Sequence, residues 1–127
     1  MYLFDNRDYR EIETNLYFNQ FVLGPRGVLQ DRGWQQVLIH AGLTLSAHPG
    51  LNVERVTVPD CSLTLVGDAF DAEQPHASNA DILERLIKHA AHLDKLFAAT
   101  EPLGGRWLIV VESSTGTFLF HDALGLR

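Results

Sequence analysis

Gly105-Arg106-Trp107-Leu108-Ile109-Val110-Val111 and, beyond the polar turn Ser113-Ser114-Thr115-Gly116, Phe118-Leu119-Phe120-His121-Asp122-Ala123-Leu124-Gly125-Leu126-Arg127 decide the fold. Two apolar runs joined by a short polar turn read as a β-hairpin. Upstream lies the one convincing helix. It starts after Pro75, where Ser78 precedes Asp81 by three positions and can form a capping box, with the carboxylate near the positive helix end. Ile82, Leu83, Leu86, Ile87 and Ala90 fall on one face, with Glu84, Arg85 and Lys88 largely on the other, so the apolar face is expected to cover a sheet. Leu93, Leu96 and Phe97 continue the stripe to Thr100 and Pro102, with a kink or a second short helix expected near His92.

Further upstream the pattern shortens to strands. Tyr17, Phe18, Phe21 and Val22 mark a strand over Leu16 to Leu23, closed by Gly24-Pro25-Arg26-Gly27. Gln35 to His40 and Leu43 to Ala47, parted by Ala41-Gly42, alternate as a second hairpin. Pro49-Gly50 breaks the chain again, Val53 to Val58 forms a strand ended by Pro59-Asp60, and Ser62 to Val66 forms the next. Six or seven strands with a helical segment predict an α+β fold of antiparallel sheets with a helix layer. Residues 1–15 are charged and lack a clean period, so they read as an N-terminal extension to a domain over 16–127.

Bulk properties limit the function. The chain has 127 residues, 46% of them apolar, enough to bury one real core. Ten basic against sixteen acidic residues give a net charge of -6 with no basic run, which argues against nucleic acid and anionic membranes as partners. No apolar run is long enough to span a bilayer, and Asp5, Asp8, Glu11 and Glu13 stand where a signal peptide has its apolar core, so a cytoplasmic location is expected. The single cysteine, Cys61, excludes an internal disulfide and a cysteine-rich metal site. It reads as a small residue at the start of a strand.

The order of these pieces resembles the N-terminal glutaminase-like domain of the asparagine-synthetase family, class II glutamine amidotransferases of the N-terminal-nucleophile hydrolase fold. Leu65-Val66-Gly67-Asp68-Ala69-Phe70-Asp71 is similar to the family's strand ending in Asn-Gly-Glu. Ser78-Asn79-Ala80-Asp81-Ile82-Leu83 is similar to its Asp-Thr-Glu helix start. Gly105-Arg106-Trp107 and His121-Asp122-Ala123-Leu124-Gly125-Leu126-Arg127 match its last strand pair and its Asp-x-x-Gly-x-Arg junction. The resemblance covers the second half by motif and the first half only by strand order. It implies a chain truncated at Asp122, Gly125 and Arg127, where a C-terminal synthetase domain or subunit would follow. That partner would use ATP and Mg²⁺; no cofactor is implied for this domain.

The same resemblance implies that the glutaminase has been lost. The family's nucleophile is an N-terminal cysteine whose free α-amine handles the proton, whereas position 2 here is Tyr and Cys61 is internal. Its oxyanion-stabilising Asn falls on Val66, and losing one such donor costs on the order of 3 kcal/mol of transition-state stabilisation. Its substrate-holding Asp falls on Asn79. Cleavage before Thr14 would expose a hydroxyl nucleophile, but a polar residue in an extension is the simpler reading of Thr14. The resemblance thus implies a non-catalytic domain of an ATP-dependent amide-forming enzyme, with a scaffold or interface role and an exposed apolar patch near the terminal hairpin. The alternative is a small-molecule module that binds an amino acid or peptide in a vestigial pocket lined by Val66, Gly67, Asp68, Phe70 and Asn79. A homo-oligomer stays open.

Other constellations read as structural. His89 and His92, with Asp94 or His76, have the residue types of a metal site, yet they border Lys88 and Lys95 and read as a solvated helix face. Asp68 and Asp71, three apart after a strand, read as a polar turn before an acid/base pair. Asp122 and Arg127 suit an ion pair at the hairpin exit. Gly24-Pro25-Arg26-Gly27 has too few glycines and no following helix for a phosphate loop. Trp34 and Trp107 read as core or interface aromatics.

Overall fold

The computed structural model describes residues 21–40 and 42–122. It is an α+β structure whose chain divides into two compact units, Met1–Leu51 and Asn52–Arg127.

In the first unit β1 (Phe21–Gly24), β2 (Gln35–His40) and β3 (Leu43–Ala47) form an antiparallel sheet in the order β1-β3-β2. The expected hairpin of β2 and β3 is present, while the Leu16–Gln20 part of the first expected strand lies outside the described residues. The loop between β1 and β2 carries a 3-10 turn, Gln30–Arg32. Its backbone is tied to the sheet by polar side chains. The Gln36 amide donates to the carbonyls of Val28 and Trp34, and the Ser46 hydroxyl donates to Gln36 Oε1 and accepts from the Val28 N–H. Val22, Val28 and Trp34 cluster beneath that loop.

The second unit is a four-stranded antiparallel sheet, β4-β5-β6-β7, built from Val53–Val58, Cys61–Asp71, Leu103–Ser113 and Gly116–His121. Between β5 and β6 the chain forms α1 (Asn79–Leu86), a 3-10 turn (Ile87–His89) and α2 (Leu93–Ala99). Ser78 caps α1 as expected: its hydroxyl accepts from the Asp81 N–H, and the Asp81 carboxylate accepts from the Ser78 N–H. The bond from the Ser78 N–H, with a smaller contribution from the Ser78 hydroxyl, holds the Asp81 carboxyl below its ordinary range. The expected interruption falls at His92, which stands before the first turn of α2 in extended conformation.

Ile82, Leu83 and Leu86 from α1 and Leu96 from α2 form one core with Leu63, Leu65, Trp107, Ile109 and Val111 of the sheet. Alternation along β5 and β6 therefore turns the odd-numbered positions of this stretch towards the helices. The terminal hairpin pairs without a break from Leu108–His121 to Ser113–Gly116. It ends on Asp122, whose N–H donates to the Trp107 carbonyl at 3.2 Å and whose buried carboxylate, 3% exposed as a residue, accepts from the Trp107 N–H at 2.9 Å.

One expectation needs correction. Asp68 and Asp71 do not follow a strand. β5 continues five residues beyond Val66 and stays paired with β6 as far as Asp71–Leu103. Glycines let it do so. Gly67 has φ +102° and Gly105 φ +95°, and a methyl group on either would meet a carbonyl oxygen of the opposite strand, Arg106 O at 2.3 Å or Asp68 O at 2.2 Å. The hairpin of β5 and β6 is thus creased around the Asp68–Arg106 pair without losing register.

Candidate functional site

The residues aligned with the resembled glutamine site lie at this crease, and the structure places them on both sides of it. Val66, Asp68 and Phe70 alternate onto one face of β5, and Gly67 falls on the face towards the helices, with Asn79 in the first turn of α1. Val66 is fully buried, Asp68 is exposed, and Phe70 is 50% exposed.

Asn79 acts as a clasp between helix and strand. Its Nδ2 donates to the Gly67 carbonyl at 2.8 Å, and its Oδ1 accepts from the Ala69 N–H at 3.2 Å. A side-chain amide matches a backbone N–H and C=O at once because it carries both a donor and an acceptor. The Gly67 N–H is also occupied, donating to the Asn52 carbonyl at 2.8 Å. An N–H already directed at a carbonyl is not presented to a developing oxyanion.

Asp68 accepts a hydrogen bond from the Asn52 side chain and stands directly across from Arg106, which is exposed. Neither Asn52 nor Arg106 was legible as a neighbour of this site. Asn52 precedes β4 in a segment with no motif, and Arg106 reaches Asp68 only through the β5–β6 register.

Asp71 has a different task. It is 1% exposed, accepts from the Glu73 N–H and pairs with Arg85 of α1. The hydrogen bond from the Arg85 guanidinium holds its carboxyl below the ordinary carboxylate range despite the opposing effect of burial. This pair fastens the end of β5 to the last turn of α1.

Cys61 opens β5, half-buried at the margin of the helix-side core. Burial, with a smaller contribution from the Glu112 carboxylate, pushes its thiol up, which disfavours the nucleophilic thiolate. His89 lies in the 3-10 turn and His92 before α2, and among the described residues no three His, Cys, Asp or Glu side chains gather as a metal site. Trp34 and Trp107 are both core residues. Of the junction residues, Asp122 is placed as above, whereas Gly125, Arg127 and the expected Asp122–Arg127 ion pair lie outside the described residues, as does Thr14.

An apolar patch does lie beside the terminal hairpin. Phe97 of α2 is 64% exposed and meets Phe120 of β7 edge-on, with ring centres 5.7 Å apart. Phe118, Leu119 and Phe120 are all partly exposed. No protein-family model, no curated protein and no solved structure matches this chain.

Proposed function

We propose that this chain is a degenerate glutaminase-like domain, without ammonia-producing activity, that serves as a scaffold or interface for an ATP-dependent amide-forming partner domain or subunit. The observation that carries this reading is the state of the hydrogen-bonding groups at the crease. The Gly67 N–H and both ends of the Asn79 amide are spent on the fold's own backbone, so the groups aligned with a substrate site act as structural fasteners. The aromatic patch at Phe97 and Phe120 supports the interface role. ATP and Mg²⁺ belong to the partner in this reading. The N-terminal-nucleophile fold and a cytoplasmic setting are parts of the same proposal.

The test is ammonia release from glutamine by the purified chain beside a Cys61→Ala variant. Silence in both is expected. Glutamine hydrolysis that disappears in Cys61→Ala overturns the reading, since an internal thiol would then be the nucleophile. One observation favours a second reading, the amino-acid or peptide module: the exposed Asp68 and Arg106 face each other and offer opposite charges to a zwitterion. That reading requires a rise in melting temperature with glutamine, because a ligand that binds only the folded state stabilises it by RT ln(1 + [L]/Kd).

A further inference from the structure

The two edges of the second unit's sheet are built differently. β4 carries Glu54 and Arg55, followed closely by Pro59. β7, Gly-Thr-Phe-Leu-Phe-His, holds no Asp, Glu, Lys or Arg and no proline, its one ionisable side chain being His121, and it pairs with β6 in unbroken register. Natural edge strands are normally guarded against pairing by lysines, prolines, bulges or inward charges. β7 has none of these guards, and among the described residues no strand lies on its outer side.

We propose that a second copy of this chain occupies that edge, with the two β7 strands antiparallel about a twofold axis at Leu119. The sequence of the strand is self-complementary about this residue. In that register Leu119 faces Leu119, Thr117 faces His121, and Phe118 of one copy faces Phe120 of the other, twice, on the side that carries α2. Cross-strand aromatic pairs stabilise such a ladder, and like charges opposite one another would oppose it. Although each chain carries a net charge of -6, no carboxylates meet along this strand. Phe97, already against Phe120, flanks the added strand at both ends of the symmetric contact. The interface is isologous, so it closes at two copies. A different protein's extended segment would gain nothing from the symmetry about Leu119, which is why the second copy is the occupant the strand fits.

This inference goes beyond the role proposed above and fails separately from it, because the ammonia assay does not read association. The test is sedimentation equilibrium of the purified chain over a concentration series, beside Leu119→Lys and Leu119→Glu. The expected result is a monomer–dimer equilibrium whose dissociation constant rises about tenfold or more in each variant. An equimolar mixture of the two variants restores the dimer, because Lys then faces Glu. A monomer at every concentration, a dimer indifferent to both variants, or a mixture that stays monomeric overturns the proposal. Should the variants fail to fold by circular dichroism, hydrogen exchange of the unaltered chain decides. Amides of Gly116–His121 that slow as concentration rises support the pairing, and concentration-independent exchange refutes it.

Discussion

At the scale of single residues, Asn79 shows how one side-chain amide can join a helix to a strand. An aspartate there would keep the acceptor for the Ala69 N–H but would turn a carboxylate oxygen onto the Gly67 carbonyl, where Nδ2 now donates. Asn79→Asp is therefore expected to destabilise the fold by about 1–3 kcal/mol, the cost of an unsatisfied and repelled polar group. It is also expected to confer no glutaminase activity. Urea unfolding and the ammonia assay check the two halves of this prediction; unchanged stability would mean that the clasp is dispensable. In the sequence Asn79 stood out only through the resemblance that sets it against an aspartate, and its role was not legible, because both of its partners are backbone groups twelve and ten residues away.

At the scale of elements, most of the strands and the cap of α1 were legible. Period-two alternation marked β2 and β3, an imperfect alternation closed by Pro59-Asp60 marked β4, and the Ser78–Asp81 spacing marked the helix start, since each depends on neighbours within a few residues. The extent of β5 was not legible. Gly67 and Asp68 looked like the end of a strand, and only pairing with β6 carries the chain on to Asp71. The Asp71–Arg85 pair that secures this extension has a pH signature. Because the folded carboxyl lies below its unfolded value of about 3.9, its stabilisation is complete above that value and is lost as pH falls through the lower folded value. Arg85→Met removes the partner and leaves a buried carboxylate, so the melting temperature should drop at neutral pH, and the deficit should close as pH falls and Asp71 is protonated in both proteins. Thermal melts from pH 2 to 7 read both; a deficit that persists undiminished at pH 2 would contradict the assignment.

At the scale of the whole molecule, the chain sets an uncharged sheet edge on an acidic protein. Two copies with a charge of -6 repel each other at a distance, while β7 adds no repulsion at contact. Added salt screens the first effect over a Debye length of about 10 Å at 0.1 M and leaves the second untouched. The proposed dimer should therefore tighten severalfold between low and moderate ionic strength, as sedimentation in a salt series would show. Weakening with salt would point instead to contacts made by charged side chains. The division of the chain at Leu51 and Asn52 was not legible. Pro49-Gly50 marks a break there no differently from Pro59-Asp60, which turns between two strands of one sheet.

The crease in β5 and β6 carries a last consequence. Each of its glycines leaves room for a carbonyl of the other strand, Gly67 for that of Arg106 and Gly105 for that of Asp68. The bend is a joint defined by two missing methyl groups, thirty-eight positions apart in the chain. Filling either position alone jams it against backbone, which cannot swing aside as a side chain can. The hairpin thus behaves as a two-key lock: its shape passes intact through changes at the exposed Asp68 or Arg106 and is lost when either glycine goes.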